Sequence, residues 1–299
     1  MGEDARSGET MDDRQSDVWQ SWGAAEACRW IAVPEESADK YSRGVLGVVT
    51  GSDLYPGAAV LGVEAAARTG LGMIRYLGAP RAADFVLHRR PEVVTAPGRV
   101  QSWLIGSGMD AESRPQDDAV RLKRALDDGT PLVIDAGALD LLPAATGPVV
   151  ITPHYRELAG VLASVADDAD AVSADDIARD PGAWAARASS ALGVTVLLKG
   201  HTTYVASPSG ARFSVASGPA WLATAGSGDV LGGVLGALLA THADELAGGD
   251  ASVLPSLAAT AAYVHGRAGE RASYGGPIAA LDIAEALQQV IRDLLKRRD

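Results

Sequence analysis

A single cysteine, Cys28, stands among the 299 residues, so no intramolecular disulfide can form and a reducing cytosol is expected. Long apolar runs are also missing. The strongest, "VLGGVLGALLA" at 230–240, is too short to span a bilayer, and the N-terminal "MGEDARSGETMDDRQSD" lacks an apolar signal core. These absences point to a cytoplasmic chain with no membrane partner. Positive charge is scarce: the net charge is −12 and the basic residues form no stripe, which argues against a nucleic-acid partner. The chain also lacks GxxxxGK[ST], a GxGxxG after its first strand, GxSxG and HExxH. Its five histidines, His88, His154, His201, His242 and His265, lack zinc-ligand spacing, so no residue is assigned as a metal ligand.

What is present is enough apolar material for a substantial core, at 47% hydrophobic against 21% charged. From residue 45 the runs "VLGVVTG", "GMIRYLG", "SWLIGSG", "PLVIDAG", "PVVITPH" and "VTVLLKG" read as strands. Helical stretches such as "GAAVLGVEAAARTG" and "AVRLKRALDDG" separate them. "TTYVASPSGARFSV" reads as a hairpin about the Ser-Gly at 209–210, and residues 228–298 as mostly helical. This alternation predicts an α/β fold: a mainly parallel central sheet flanked by helices on both faces, in one domain over 41–299. Residues 1–40 are expected to be a tail, disordered over 1–17. Trp19, Trp22 and Trp30 recur at roughly helical intervals in it, as on a short docking helix against the domain or a neighbouring subunit.

Ligands of such sheets sit beyond the carboxyl ends of the strands. The loops there are 50–58, 105–110, 135–137, 152–157, 199–203 and 224–229. The last, within "LATAGSGDVLGG" (222–233), sets Asp229 among glycines at the start of an apolar helix. An acid there is either a stabilising cap or a base beside an anion-binding helix end. Successive N–H groups over 224–228 suit a phosphoryl group in transfer, and Asp229 would take the proton of the attacking hydroxyl. Lys199 ends "VTVLLK" and precedes "GHTT", whose N–H and hydroxyl donors suit a nucleotide phosphate. His154, in "ITPHYRE", follows Pro153 in a turn, with Glu157 suited to the first helical turn. Asp135, ending "LVID", is either a cap or a neighbour of a magnesium ion.

Several blocks, in order, resemble the ADP-dependent NAD(P)H-hydrate dehydratases of the ribokinase-like superfamily. They are "GSDLYPGAA" (51–59), "DAGALDLL" (135–142), "ITPHYRELAGVL" (151–162), "VLLKGHTTYVASPSG" (196–210), "LATAGSGDVLGGVLGALLA" (222–240) and "AAYVHGRAGERA" (261–272). The glycine block alone marks only the superfamily, which includes vitamin and sugar kinases; YPGAA together with TPHxxE singles out the dehydratases. The chain departs from the family pattern at Ser107, Met109, Asp110, His201 and Trp221, and in "HYRE". Residues 1–40 are expected to be too short for the epimerase domain fused to this enzyme in many bacteria.

The resemblance implies a ribokinase-like three-layer fold and an enzyme acting on the S-epimer of hydrated NADH or NADPH. ADP, or ATP, with Mg2+ would phosphorylate the ring hydroxyl, and loss of phosphate would restore the cofactor. Asp229 is the implied catalytic base, and the N–H groups of Ala225, Gly226, Ser227 and Gly228 the implied anion hole. Lys199, Gly200, His201, Thr202, Thr203 and Gly228 would hold the nucleotide. Ala58, Gly108, His154 and Asp229 would line the substrate side. A homotetramer is expected by the same analogy. The alternatives are a ribokinase-like kinase of a small alcohol such as a thiamine precursor, and a disabled nucleotide-binding relative closed at 107–110.

Overall fold

The computed structural model describes residues 18–165 and 172–298; the expected disorder of 1–17 lies outside them. Within these residues nine strands form one sheet: β1 (Gln20–Ser21), β2 (Val45–Val49), β3 (Met73–Tyr76), β4 (Ser102–Ile105), β5 (Leu132–Ile134), β6 (Val149–Ile151), β7 (Thr195–Leu198), β8 (Thr203–Ala206) and β9 (Arg212–Val215). Their order is β1-β9-β8-β7-β6-β5-β4-β2-β3. Only the pairs β7–β8 and β8–β9 are antiparallel, and β8–β9 is the hairpin read from the sequence. Apart from Arg75 in the edge strand β3, the strands from β2 to β7 are buried and largely apolar on both faces, as strands covered on two sides must be.

One layer consists of α2 (Pro56–Thr69), α3 (Pro80–Arg89), α8 (Ser227–Thr241), α10 (Val253–Ser273) and α11 (Ala280–Leu295), reached through α1 (Ala24–Ala27) and α9 (Ala243–Ala247). The other holds α4 (Gln116–Asp127), α5 (Tyr155–Ala163), α6 (Ala174–Arg179) and α7 (Pro181–Leu192). Two apolar cores result, one on each face of the sheet. Helix ends follow local chemistry: α2 begins with Pro56 at its first position and stops at Gly70, which is left-handed with φ 109°. No helix among the described residues is long and apolar enough to cross a membrane.

The tryptophan segment differs from the expected docking helix. Residues 20–21 pair in parallel with β9, so the helical part begins only at Ala24, as α1 continued by a 3-10 turn over Cys28–Trp30. The cause is the sheet's open edge, whose unpaired backbone groups accept an added strand. Trp22 lies against Phe213, with centroids 4.5 Å apart, and donates from Nε1 to Thr260 Oγ1 at 3.2 Å. Trp19 meets Tyr204 edge-on at 4.8 Å, so these rings pack on their own chain.

Parallel register brings the strand ends to one rim. The bonds Gly51 N–H to Ser107 O (2.7 Å), Asp135 N–H to Ile105 O (3.1 Å) and Lys199 N–H to Pro153 O (2.9 Å) bind neighbouring loops there.

Candidate active site

Helix α8 starts from Gly226, whose φ of +88° is left-handed and whose added Cβ would strike Leu61 Cδ1. Only glycine turns the chain there without strain. Asp229 is third in the helix, and the helix has no side-chain cap, so the capping alternative for Asp229 falls away. The first-turn N–H groups of Gly228 and Asp229 have no acceptor four residues back, because helix geometry provides none. The Ser227 N–H instead closes the turn on Thr224 O at 3.3 Å, which removes it from the expected set of anion-hole donors. Burial, with a smaller push from the Asp135 charge, raises the Asp229 carboxyl to about 7 against the pull of Lys199.

Asp135 ends β5 at the N-cap of a 3-10 run, Ala136–Ala144, but its side chain makes no cap bond. Its carboxylate is buried instead in a polar network. Oδ2 accepts from Ser107 Oγ (2.9 Å), and Oδ1 accepts from Thr152 Oγ1 (2.8 Å) and Lys199 Nζ (2.9 Å). Glu157 Oε2 lies 3.7 Å from the same ammonium. Burial pulls the Lys199 ammonium down, but Asp135 and Glu157 outweigh it and raise the group. Lys199 is thus fixed as a cation at the N-terminus of α8, and a Cβ on Gly228 would sit 3.5 Å from its Nζ.

A cavity of about 680 Å³ opens at this rim. Of the expected nucleotide residues it collects Lys199, Gly200, His201, Thr203 and Gly228, together with Ser227 and His154; Thr202, Ala225 and Gly226 lie outside its lining. His154 is also the N-cap of α5: its Nδ1 accepts from Arg156 N–H and Glu157 N–H, while Glu157 Oε2 accepts from His154 N–H at 2.8 Å. With Nδ1 occupied as an acceptor, the neutral ring carries its proton on Nε2.

The family model described as NAD(P)H-hydrate dehydratase matches residues 46–289, which contain every residue of this rim. The chain belongs to that family. An ADP-dependent (S)-NAD(P)H-hydrate dehydratase of Xanthomonas campestris is 32% identical over 270 residues, covering 83% of this chain and 86% of the relative. The bifunctional NAD(P)H-hydrate repair enzyme of Mycobacterium tuberculosis is 40% identical over 243 residues; the match takes in 77% of this chain but spans only about half, 48%, of that relative's length. Among solved structures, the ADP/ATP-dependent NAD(P)H-hydrate dehydratase of Bacillus subtilis co-crystallized with ATP/Mg2+ superposes with a TM-score of 0.77. It is 22% identical, with 95% of this chain and 100% of that one covered, a likeness of fold.

Ala58 and Gly108, expected on the substrate side, sit against each other. Gly108, left-handed at φ +68°, packs so tightly on Ala58 that a Cβ would collide with the alanine's own. Both lie outside the large cavity's lining; the cleft nearest them, about 280 Å³, includes Tyr55, Met109 and Asp110. Sequence reasoning missed the cavity's remaining wall, formed by Val215, Ser217, Gly218, Pro219, Ala220, Leu222 and Ala223, by Leu231 of α8, and by Ala262, His265 and Gly266 of α10. Its one signal was His265, a histidine without zinc spacing in an alanine-rich helix. The ring is buried, with Nε2 3.1 Å from Ser227 Oγ, and burial lowers its pKa to about 4. Trp221, half exposed at 49%, stands between cavity-lining neighbours at the rim.

Proposed function

We propose that this chain removes water from the S-epimer of hydrated NADH or NADPH, consuming ADP and releasing AMP and phosphate. The observation that carries the reading is Asp229: a carboxylate raised to about 7, one residue beyond a cavity-lining glycine, at a helix end that a lysine also reaches. Such a group takes a proton near neutral pH, and the helix end and Lys199 neutralise a phosphoryl group in flight. The name of the Xanthomonas relative supplies the substrate and the donor.

The ring hydroxyl attacks the β-phosphorus of ADP while Asp229 accepts its proton, and the bridge to the α-phosphate breaks to give AMP. Departure of phosphate, with its bonding pair, and of one ring proton restores the double bond. Phosphorylation matters because hydroxide leaves poorly and phosphate leaves well. Magnesium would arrive on the nucleotide as part of the substrate. It needs only one or two carboxylates beside phosphate oxygens. Both oxygens of the buried Asp135 are already engaged by Ser107, Thr152 and Lys199, which leaves Glu157, 3.7 Å from that ammonium, as the carboxylate able to serve; among the described residues no group of three or more metal-ligating side chains gathers.

We further infer a cytoplasmic homotetramer, a reading that rests on the family resemblance and on the lone cysteine. The test is to supply hydrated NADH and Mg2+ with ADP or ATP in parallel and follow the return of near-ultraviolet NADH absorbance. Recovery with ADP, with AMP formed in step, is expected. No recovery while nucleotide binds transfers the reading to a small-alcohol kinase or an inactive relative.

A further inference from the structure

We propose that His265 is a positioning residue for the phosphoryl-binding helix end, acting through the hydroxyl of Ser227. The inference rests on the reading above that the N-terminus of α8 receives the phosphoryl group.

Ser227 is the first residue of α8, and its N–H is committed to Thr224 O. Its Oγ caps nothing in its own helix. Instead it meets His265 Nε2 across 38 residues of chain at 3.1 Å. Around His265, α10 offers mainly small apolar side chains, among them Ala261, Ala262 and Ala268. An imidazole buried there is costly unless its ring nitrogens find partners. The pair therefore supplies two things at once: a partner for the buried ring and a lateral tie on the first residue of a helix. Helix ends fray where nothing holds them, and the next two N–H groups, those of Gly228 and Asp229, are the ones aimed at the phosphoryl group. With the tie in place those donors and the Asp229 carboxylate keep one orientation before the nucleotide arrives. Both members also line the 680 Å³ cavity, so the tie stands at the site itself.

The test compares His265→Leu, His265→Gln, Ser227→Ala and the Leu/Ala double variant. A glutamine amide reaches about as far as imidazole Nε2 and can bond the same hydroxyl. His265→Leu is expected to lower kcat by about tenfold to a hundredfold, the scale of a misplaced transition-state contact, with KM for ADP changed less than about threefold. Glutamine should restore kcat to within about threefold. Ser227→Ala should lose as much as leucine, and the double variant no more, because both remove one hydrogen bond. Losses that multiply in the double variant, or wild-type kcat in His265→Leu, overturn the proposal.

Amide hydrogen exchange gives a second, activity-free readout. The amides of Ser227 and Val230, bonded to Thr224 O and Gly226 O at this helix end, should exchange faster in His265→Leu and in Ser227→Ala, but not in His265→Gln. Unchanged protection refutes the tie even if the wild-type chain proves not to dehydrate hydrated NADH. If His265→Leu does not fold, the glutamine and alanine variants decide by themselves. Absence of wild-type turnover with protection lost as expected would sink the functional reading alone.

Discussion

Replacing Asp229 by asparagine should make this protein more stable at neutral pH while abolishing its turnover. Burial and the Asp135 charge raise the Asp229 carboxyl from 3.8 to about 7. A group raised in the folded state contributes stability that is complete below its unfolded value and lost as pH rises to the folded one. Each pH unit inside that window removes about 1.4 kcal/mol and the slope halves at the folded value, so between pH 5 and pH 7 the wild type loses about 2 kcal/mol through this residue alone. Asparagine has no such slope, and the other titrating groups cancel in the comparison. Urea unfolding followed by tryptophan fluorescence at pH 5, 6, 7 and 8 would measure it. The variant's advantage should grow by about 2 kcal/mol from pH 5 to pH 7 and level off above. A constant difference across this range, or a variant less stable at pH 8, refutes the reasoning.

Three further predictions follow from other parts of the site and scaffold. Lys199→Met should weaken ADP binding and cost about 3 kcal/mol by leaving the buried Asp135 carboxylate without its cation; adding Asp135→Asn should return most of the stability but not the affinity. Calorimetric titration with ADP beside thermal melts separates the two effects. The carboxylate of Glu64 in α2 is fully buried, and Arg90, Arg68 and Arg89 outweigh the desolvation and lower it to about 2 from 4.5. Its contribution is present above pH 4.5 and lost as pH falls toward 2, so Glu64→Gln should cost about 2 kcal/mol at pH 7 and much less near pH 3, as denaturant melts at both would record. Gly108→Ala meets both a left-handed backbone and the Ala58 Cβ; a loss of turnover with hydrated NADH while ADP still binds is expected, and unchanged turnover would remove this pair from the substrate side.

The sheet was legible because its strands are short apolar runs punctuated by glycine, and because helices alternate with them. The strand edge at Gln20–Ser21 was not: two residues carry no periodicity, and their pairing is decided by an unfilled edge contributed by β9, nearly two hundred residues on. The site was legible where one loop holds the chemistry. Asp229 and its glycines announce a helix end within eight residues of sequence. Ser107, Thr152 and Lys199 converge on Asp135 from three separate strand ends, and nothing local in any of the four indicates the other three. His265 was hidden for the same reason, since its partner lies on another helix.

That convergence bears on whether the departures from the family pattern disable the site. Ser107, one of those departures, donates its hydroxyl to the Asp135 oxygen that Lys199 and Thr152 leave free. A side chain without a donor would leave that oxygen unpaired, so the serine bond to a buried carboxylate contributes about 1.5 kcal/mol or more. Asp110 brings a negative charge to the smaller cleft, but its carboxylate is already engaged by Ser113 Oγ at 2.8 Å and the Glu112 N–H at 3.0 Å. Those bonds hold its pKa below the usual value, so the charge persists at neutral pH and is spent on its own turn. The glycine loop therefore supports Lys199 through Asp135, and the Asp110 charge is held within its own turn. Ser107→Ala should lower ADP affinity along with stability, and Asp110→Asn should leave both within about twofold of wild type; an inactive wild type rescued by Asp110→Asn would show the opposite, that this one charge had closed the site.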